Sequence, residues 1–185
     1  LMGATYVAVA AEHPLATHAV GETVGHLLDV GGTRPDLVAV FATEAHLGML
    51  EDIVAAVRHL LEPRALIGAC TQSVLTGARE VEDHSALVIQ AMWLGGARIR
   101  PIRIDAVPGP EGTHLRGLGA LDGATGTLVL LSDPFSFPAQ VALGPDFTIG
   151  WDSHAADFAM TLGEFYCKGL SAPVVVEIKR DDVVF

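Results

Sequence analysis

Apolar and polar positions alternate in this chain with two different periods. Tyr6–Ala11 is a short apolar run, broken by His13 and Pro14, and reads as a strand. Ala16, Ala19, Val20, Val24, Leu27 and Leu28 then form one stripe, which predicts a helix over about 15–28, stopped by Gly31 and Gly32. A turn at Pro35-Asp36 leads into a buried-type strand, Leu37–Phe41. Leu47, Leu50, Ile53, Val54, Val57, Leu60 and Leu61 restore the 3.6-residue period over about 45–61. Thr43 stands where an N-cap belongs and Pro63 where the helix must end. Ala65–Gly68 is a third short strand. A β-α-β-α-β order with short connections favours parallel strands joined by right-handed crossovers.

Beyond residue 68 the pattern changes. Ala86–Trp93 and Ala97–Asp105 are apolar runs separated by Gly95-Gly96, a β-hairpin signal. Pro101 interrupts the second run and predicts a bulge or a sheet edge. Residues 106–127 are rich in Gly and Pro and read as a surface excursion with one helical turn near Leu115. Thr127–Leu131 is a further strand, stopped by Ser132-Asp133-Pro134, with a short helix starting near Phe137. Asp152 or Ser153 caps a last helix carrying Ala155, Phe158, Ala159, Leu162 and Phe165, and Pro173 leads into the apolar run Val174–Ile178. The fold class expected is α/β: parallel strands first, then an antiparallel hairpin, in a mixed sheet flanked by helices. The expected division is a domain over 1–143 and a helix-strand tail over 144–185.

Composition narrows the function classes. A chain of 185 residues that is half hydrophobic can build an ordinary core. Its formal net charge is -11, and only two of its basic residues, Lys168 and Lys179, are lysines. Nucleic-acid binding needs a basic face to displace counterions, and the densest set, Arg98, Arg100 and Arg103, alternates along a strand. An acidic surface also argues against anionic membranes, and no apolar window is long enough for a membrane span. Two cysteines, Cys70 and Cys167, make no disulfide framework, and the first residues show no basic signal region. The expectation is a cytoplasmic protein without a cofactor. Eight histidines lack zinc spacing, so no metal site is expected.

Candidate chemistry concentrates in Ile67–Asp83, IGACTQSVLTGAREVED. Cys70, Thr71, Gln72 and Ser73 follow a strand, where open α/β sheets place their ligands. Cys70 is a candidate nucleophile if a cation or helix end lowers its pKa, or else a packed core thiol. Thr71, Gln72 and Ser73 offer hydrogen bonds to a small polar ligand, or to their own turn. Arg79 with Glu80, Glu82 and Asp83 has the groups to read both ends of a zwitterion, or forms a solvated polar run. Asp133 sits at another strand end, facing the same crevice or forming an Asp-Pro turn.

Ile67–Asp83 resembles the signature loop of the FIST N-terminal domain family. Gly68, Val74, Gly77, Arg79, Glu80, Val81 and Glu82 fall in register with it. Pro35-Asp36-Leu37-Val38 before a strand, an amphipathic helix, a hairpin ending in the Arg-rich strand, and Leu131-Ser132-Asp133-Pro134-Phe135 occur in the family's order, so the likeness covers roughly residues 5 to 142. The chain departs from the pattern at Ala69, where the family cysteine falls, and at Ser73, Thr76 and Ala78, where glycines are usual. The family's C-terminal partner domain is absent, as in a divergent or truncated member.

The resemblance implies a sensory domain of a signal-transduction protein that binds a small polar metabolite such as an amino acid and performs no chemistry. Gly68, Cys70, Thr71, Gln72, Arg79, Glu80 and Asp133 would line or support the site. Two other readings stand beside it. One is a hydrolase or acyl transferase that uses Cys70. The other is a structural module whose apolar strands contact a protein partner or a second copy.

Overall fold

The computed structural model describes residues 4–77, 79–103, 105–110, 112–116, 127–131 and 174–179. Its centre is a four-stranded mixed sheet. The strands are β1 (Thr5–Glu12), β2 (Leu37–Thr43), β3 (Ala65–Thr71) and β6 (Ala86–Trp93), in the order β1-β6-β2-β3. Pairing of β2 with β3 is parallel, from Leu37 opposite Ala65 to Thr43 opposite Thr71. The last strand, β6, runs antiparallel to both β1 and β2. Hence β1, β2 and β3 share one direction, as expected, but β6 separates β1 from β2. All positions of β6 from Ala86 to Ile89 are buried, the pattern of a strand covered on both faces.

One face of this sheet packs against helices. Helix α1 (Ala16–Gly31) turns Ala19, Val20, Val24 and Leu27 inward, and α2 (Leu50–Leu61) turns Ile53, Val57 and Leu61 inward. They meet Val38, Val40, Ala42, Leu87, Ile89 and Ala91 in one core. Leu27, Leu61, Leu87 and Ile89 are fully buried there. Each such side chain contributes roughly 1.5–3 kcal/mol relative to exposure. The amide of Gly32, in a left-handed conformation at φ 74°, donates to the Leu28 carbonyl at 3.0 Å and closes α1.

The region expected as the start of the second helix is a 3-10 helix over Glu44–Met49, followed by α2. Thr43 precedes it but makes no capping bond with its side chain. Its hydroxyl is committed elsewhere, to the strand end at His84 and Ala86.

The opposite face is covered in two parts. Strands β7 (Arg98–Arg103), β10 (Thr127–Leu131) and β11 (Val174–Lys179) form an antiparallel sheet ordered β10-β11-β7. Ile99, Val129 and Leu131 from it pack on Leu37, Ala39, Ala65 and Ile67. The second part is a hairpin of β4 (Ser73–Thr76) and β5 (Arg79–Glu82). Val74 and Val81, opposite each other in it, pack on Ala86 and Val88 with Ala10 and Phe41. Gly77 takes φ 57° in its turn, a conformation that favours glycine.

Two expectations are corrected. Ala86–Trp93 and the following strand do not form a hairpin: both edges of β6 are taken by β1 and β2, so β7 pairs with β11 instead. Gly95 and Gly96, at φ 62° and 95°, turn the chain out of the first sheet. Residues near Leu115 are not helical; β8 (Asp105–Gly109) and β9 (Gly112–Arg116) form a hairpin. Pro101 does sit on an edge strand of its sheet, opposite Val176. The segment Val174–Lys179, from the tail, lies between β7 and β10. The helices expected near Phe137 and after Asp152 lie outside the described residues.

Candidate functional site

The carboxyl ends of β1, β2 and β3 and the start of β6 meet along one edge of the central sheet. In β3, the strand runs three residues beyond the expected stop, so Cys70 lies within it, opposite Ala42. Only after Thr71 does the chain leave the sheet. It returns across the sheet as β4, turns at Gly77, and comes back as β5 to Glu82. Asp83 adopts φ 57°, a left-handed conformation that Asp tolerates better than most side chains, and redirects the chain into β6.

This path opens a groove of about 340 Å³ lined by Gln72, Ser73, Glu82 and Asp83. Ser73 and Glu82 are directly paired across the hairpin, so the two sides of the groove are held in register. Two of the four lining side chains are acidic and none is basic, so the groove attracts a cation or a hydrogen-bond donor.

The walls are fixed from behind. The Thr71 hydroxyl donates to the Ser73 carbonyl at 2.6 Å, tightening the turn that carries Gln72. The Thr43 hydroxyl donates to the His84 carbonyl at 2.8 Å and accepts the Ala86 amide at 2.9 Å. The His84 ring nitrogen Nδ1 lies 2.8 Å from the Glu82 carbonyl, within hydrogen-bonding distance. Strand β2 is thereby tied to the Asp83 turn.

The seven residues singled out from sequence divide into separate places. Gln72 lines the groove, and Thr71 supports it from a buried position. Gly68 sits opposite Val40, where a Cβ would collide with the Val40 carbonyl oxygen; it serves close strand packing. Cys70 is wholly buried and does not line the groove. Arg79 and Glu80 lie toward the far end of the hairpin, with Arg79 about 10 Å along the strand from Glu82 at 3.3 Å per residue. There Arg79 forms an ion pair with Glu12 of β1. Asp133 lies outside the described residues.

The sequence reading missed a histidine group at the same edge. His46 in the 3-10 helix is 1% exposed. Its pKa is lowered, mainly by burial, opposed by a hydrogen bond to the His13 backbone and reinforced by the nearby His13 charge. Its Nε2 has no hydrogen-bond partner. His13 stacks on His18 with ring centroids 4.5 Å apart and planes within 8°. Stacked rings hold their lone pairs in parallel planes, which does not suit a shared metal ion, and no metal-binding cluster occurs among the described residues. Only an isolated histidine inside an apolar helical stretch marked His46 in the sequence, and no partner at helical spacing accompanied it.

Similarity to other proteins is partial. The chain is 30% identical to an uncharacterized protein of Mycobacterium bovis over 132 residues, which cover 70% of this chain and 33% of that protein. An uncharacterized protein of Mycobacterium tuberculosis is 31% identical over 132 residues, 70% of this chain and 34% of its own length. The chain therefore spans about a third of the length of these relatives. No family model and no solved structure matches it. Among the described residues, no helix is long and apolar enough to cross a membrane.

Proposed function

We propose that this chain is a cytoplasmic sensory domain of a signal-transduction protein that binds a small polar metabolite through a cationic nitrogen. The observation that carries this reading is the groove at the strand ends, with Glu82 and Asp83 beside the hydrogen-bonding side chains of Gln72 and Ser73. Ligands of open α/β sheets bind outside the carboxyl ends of the strands, the edge on which the groove lies. The resemblance of Ile67–Asp83 to the FIST N-terminal domain family supports the same role. An amino acid fits by its ammonium group. Its carboxylate is not read by Arg79, which is turned to Glu12 at the other end of the hairpin. The burial of Cys70 gives no support to a nucleophilic role.

A thermal-shift screen of amino acids and diamines tests the proposal. Binding to the folded state alone stabilises it by RT ln(1 + [L]/Kd). A ligand at ten times its Kd should raise Tm by about 3 °C in a chain of this size. The doubly neutralised variant Glu82→Gln/Asp83→Asn should lose the shift. No hit among amines, or a shift that survives in the variant, would remove this reading.

A further inference from the structure

Side chains of β4 and β5 alternate between the two faces of their hairpin. Val74 and Val81 point inward and are buried against Ala86 and Val88. Ser73 and Glu82, which line the groove, therefore share the outward face with the next pair on that side, Leu75 and Glu80. Leu75 stands about 7 Å from Ser73 along β4, and Glu80 about as far from Glu82 along β5. Beyond the groove, the outward face continues with one apolar and one acidic side chain.

Leu75 is 44% exposed, whereas Val74 beside it is 2% exposed. A single exposed leucine is ordinary on a protein surface. The position of this one is what matters, because a ligand held by its nitrogen at Glu82 and Asp83 can cover it with the rest of its body. The charges beside Leu75 limit what that body can carry. Glu80 lies opposite Leu75 and is exposed. Arg79, the basic residue of the hairpin, is turned to Glu12. A carboxylate at the far end of the ligand would meet Glu80 instead of a guanidinium, and like charges repel.

We propose that Leu75 is a specificity-determining residue of the groove, which selects amines bearing a straight apolar chain and no terminal carboxylate. The ammonium sits at Glu82 and Asp83, and the methylenes lie along Leu75. This selection rests on the ligand-binding reading above and narrows it to amphiphilic amines. Its source is the burial of methylenes. Each changes affinity about fourfold when fully covered, and about twofold when one side stays in water.

Calorimetric titration with propylamine, hexylamine and ε-aminocaproate tests the selection. Hexylamine has three more methylenes than propylamine and should bind about eightfold more tightly. The aminocaproate, of similar length but ending in a carboxylate, should bind no better than propylamine. Leu75→Thr keeps a residue suited to a strand and should reduce the hexylamine-to-propylamine ratio below about twofold. Leu75→Met keeps an apolar side chain and should preserve the ratio, which holds the test open if the Thr variant does not fold. A ratio near one in the wild type, a ratio that survives Leu75→Thr, or aminocaproate binding equal to that of hexylamine overturns the selection. The groove reading still stands in those cases, provided that amine binding is lost in Glu82→Gln/Asp83→Asn. If no amine binds, or if binding survives that double variant, the groove reading falls and the selection falls with it.

Discussion

The Thr43 hydroxyl accepts the amide of Ala86 at 2.9 Å, joining the end of β2 to the start of β6 beneath the groove. Both residues are buried, so water cannot replace the bond. Thr43→Val keeps the shape and orphans a buried N–H, which destabilises by about 1–3 kcal/mol. Thr43→Ser keeps the hydroxyl and should lose less. Urea unfolding of the two variants separates the bond from the methyl group, and equal losses would show that the bond contributes nothing.

Gly68 should be intolerant of any side chain. It does not need a left-handed backbone, since it is absent from the positive-φ glycines; its constraint is the Val40 carbonyl opposite. Gly68→Ala must push β2 from β3 and should destabilise by about 1–3 kcal/mol, the range for overpacking. A urea midpoint equal to wild type would mean that the two strands separate without penalty.

Cys70 should resist modification in the folded protein. With Cys167 replaced by Ser to remove its signal, a thiol reagent should react with Cys70 only as fast as the protein opens. Rapid labelling under native conditions, at the rate of a small-molecule thiol, would return Cys70 to the list of candidate nucleophiles.

The elements that could be read in the sequence are those whose burial repeats locally. The stripe from Ala16 to Leu28 and the one from Leu47 to Leu61 are one-faced helices, and periodicity finds them directly. Pairing is different, because it depends on which strand edges are vacant. Gly95-Gly96 has the local chemistry of a hairpin, yet β6 has no edge left to give to β7. The site was half legible for the same reason. Gln72, Ser73, Glu82 and Asp83 were visible as a polar run, but only the pairing of Ser73 with Glu82 folds that run into two walls. Arg79 and Glu80 sit in the same run and are carried toward the other end of the hairpin by strand geometry alone.

The Arg79–Glu12 pair should contribute little to stability. Its side chains are 67% and 32% exposed, so solvent screens the attraction. Arg79→Ala should lose less than about 1 kcal/mol, and the coupling with Glu12→Ala should shrink further in molar salt. Ligand affinity at the groove should be unchanged in Arg79→Ala. An affinity loss of tenfold or so would place the guanidinium at the ligand and revive the zwitterion reading.

His46 sets the sign of the stability change on acidification. Its folded-state pKa lies below 6.5, chiefly because burial disfavours the charged ring. As pH falls through about 6.5, the unfolded chain takes up a proton that the folded chain refuses. Stability is therefore undiminished above that value, declines as pH drops from it toward the folded-state pKa, and levels off below. Each unit of lowering removes about 1.4 kcal/mol at the acidic limit. In His46→Leu this component vanishes, so the gap in unfolding free energy between wild type and variant should change with pH even though other histidines titrate in both. The comparison is made by urea unfolding at a series of pH values from neutral to mildly acidic. A gap that stays constant would mean that the His46 ring takes its proton as readily in the folded protein as in the unfolded chain.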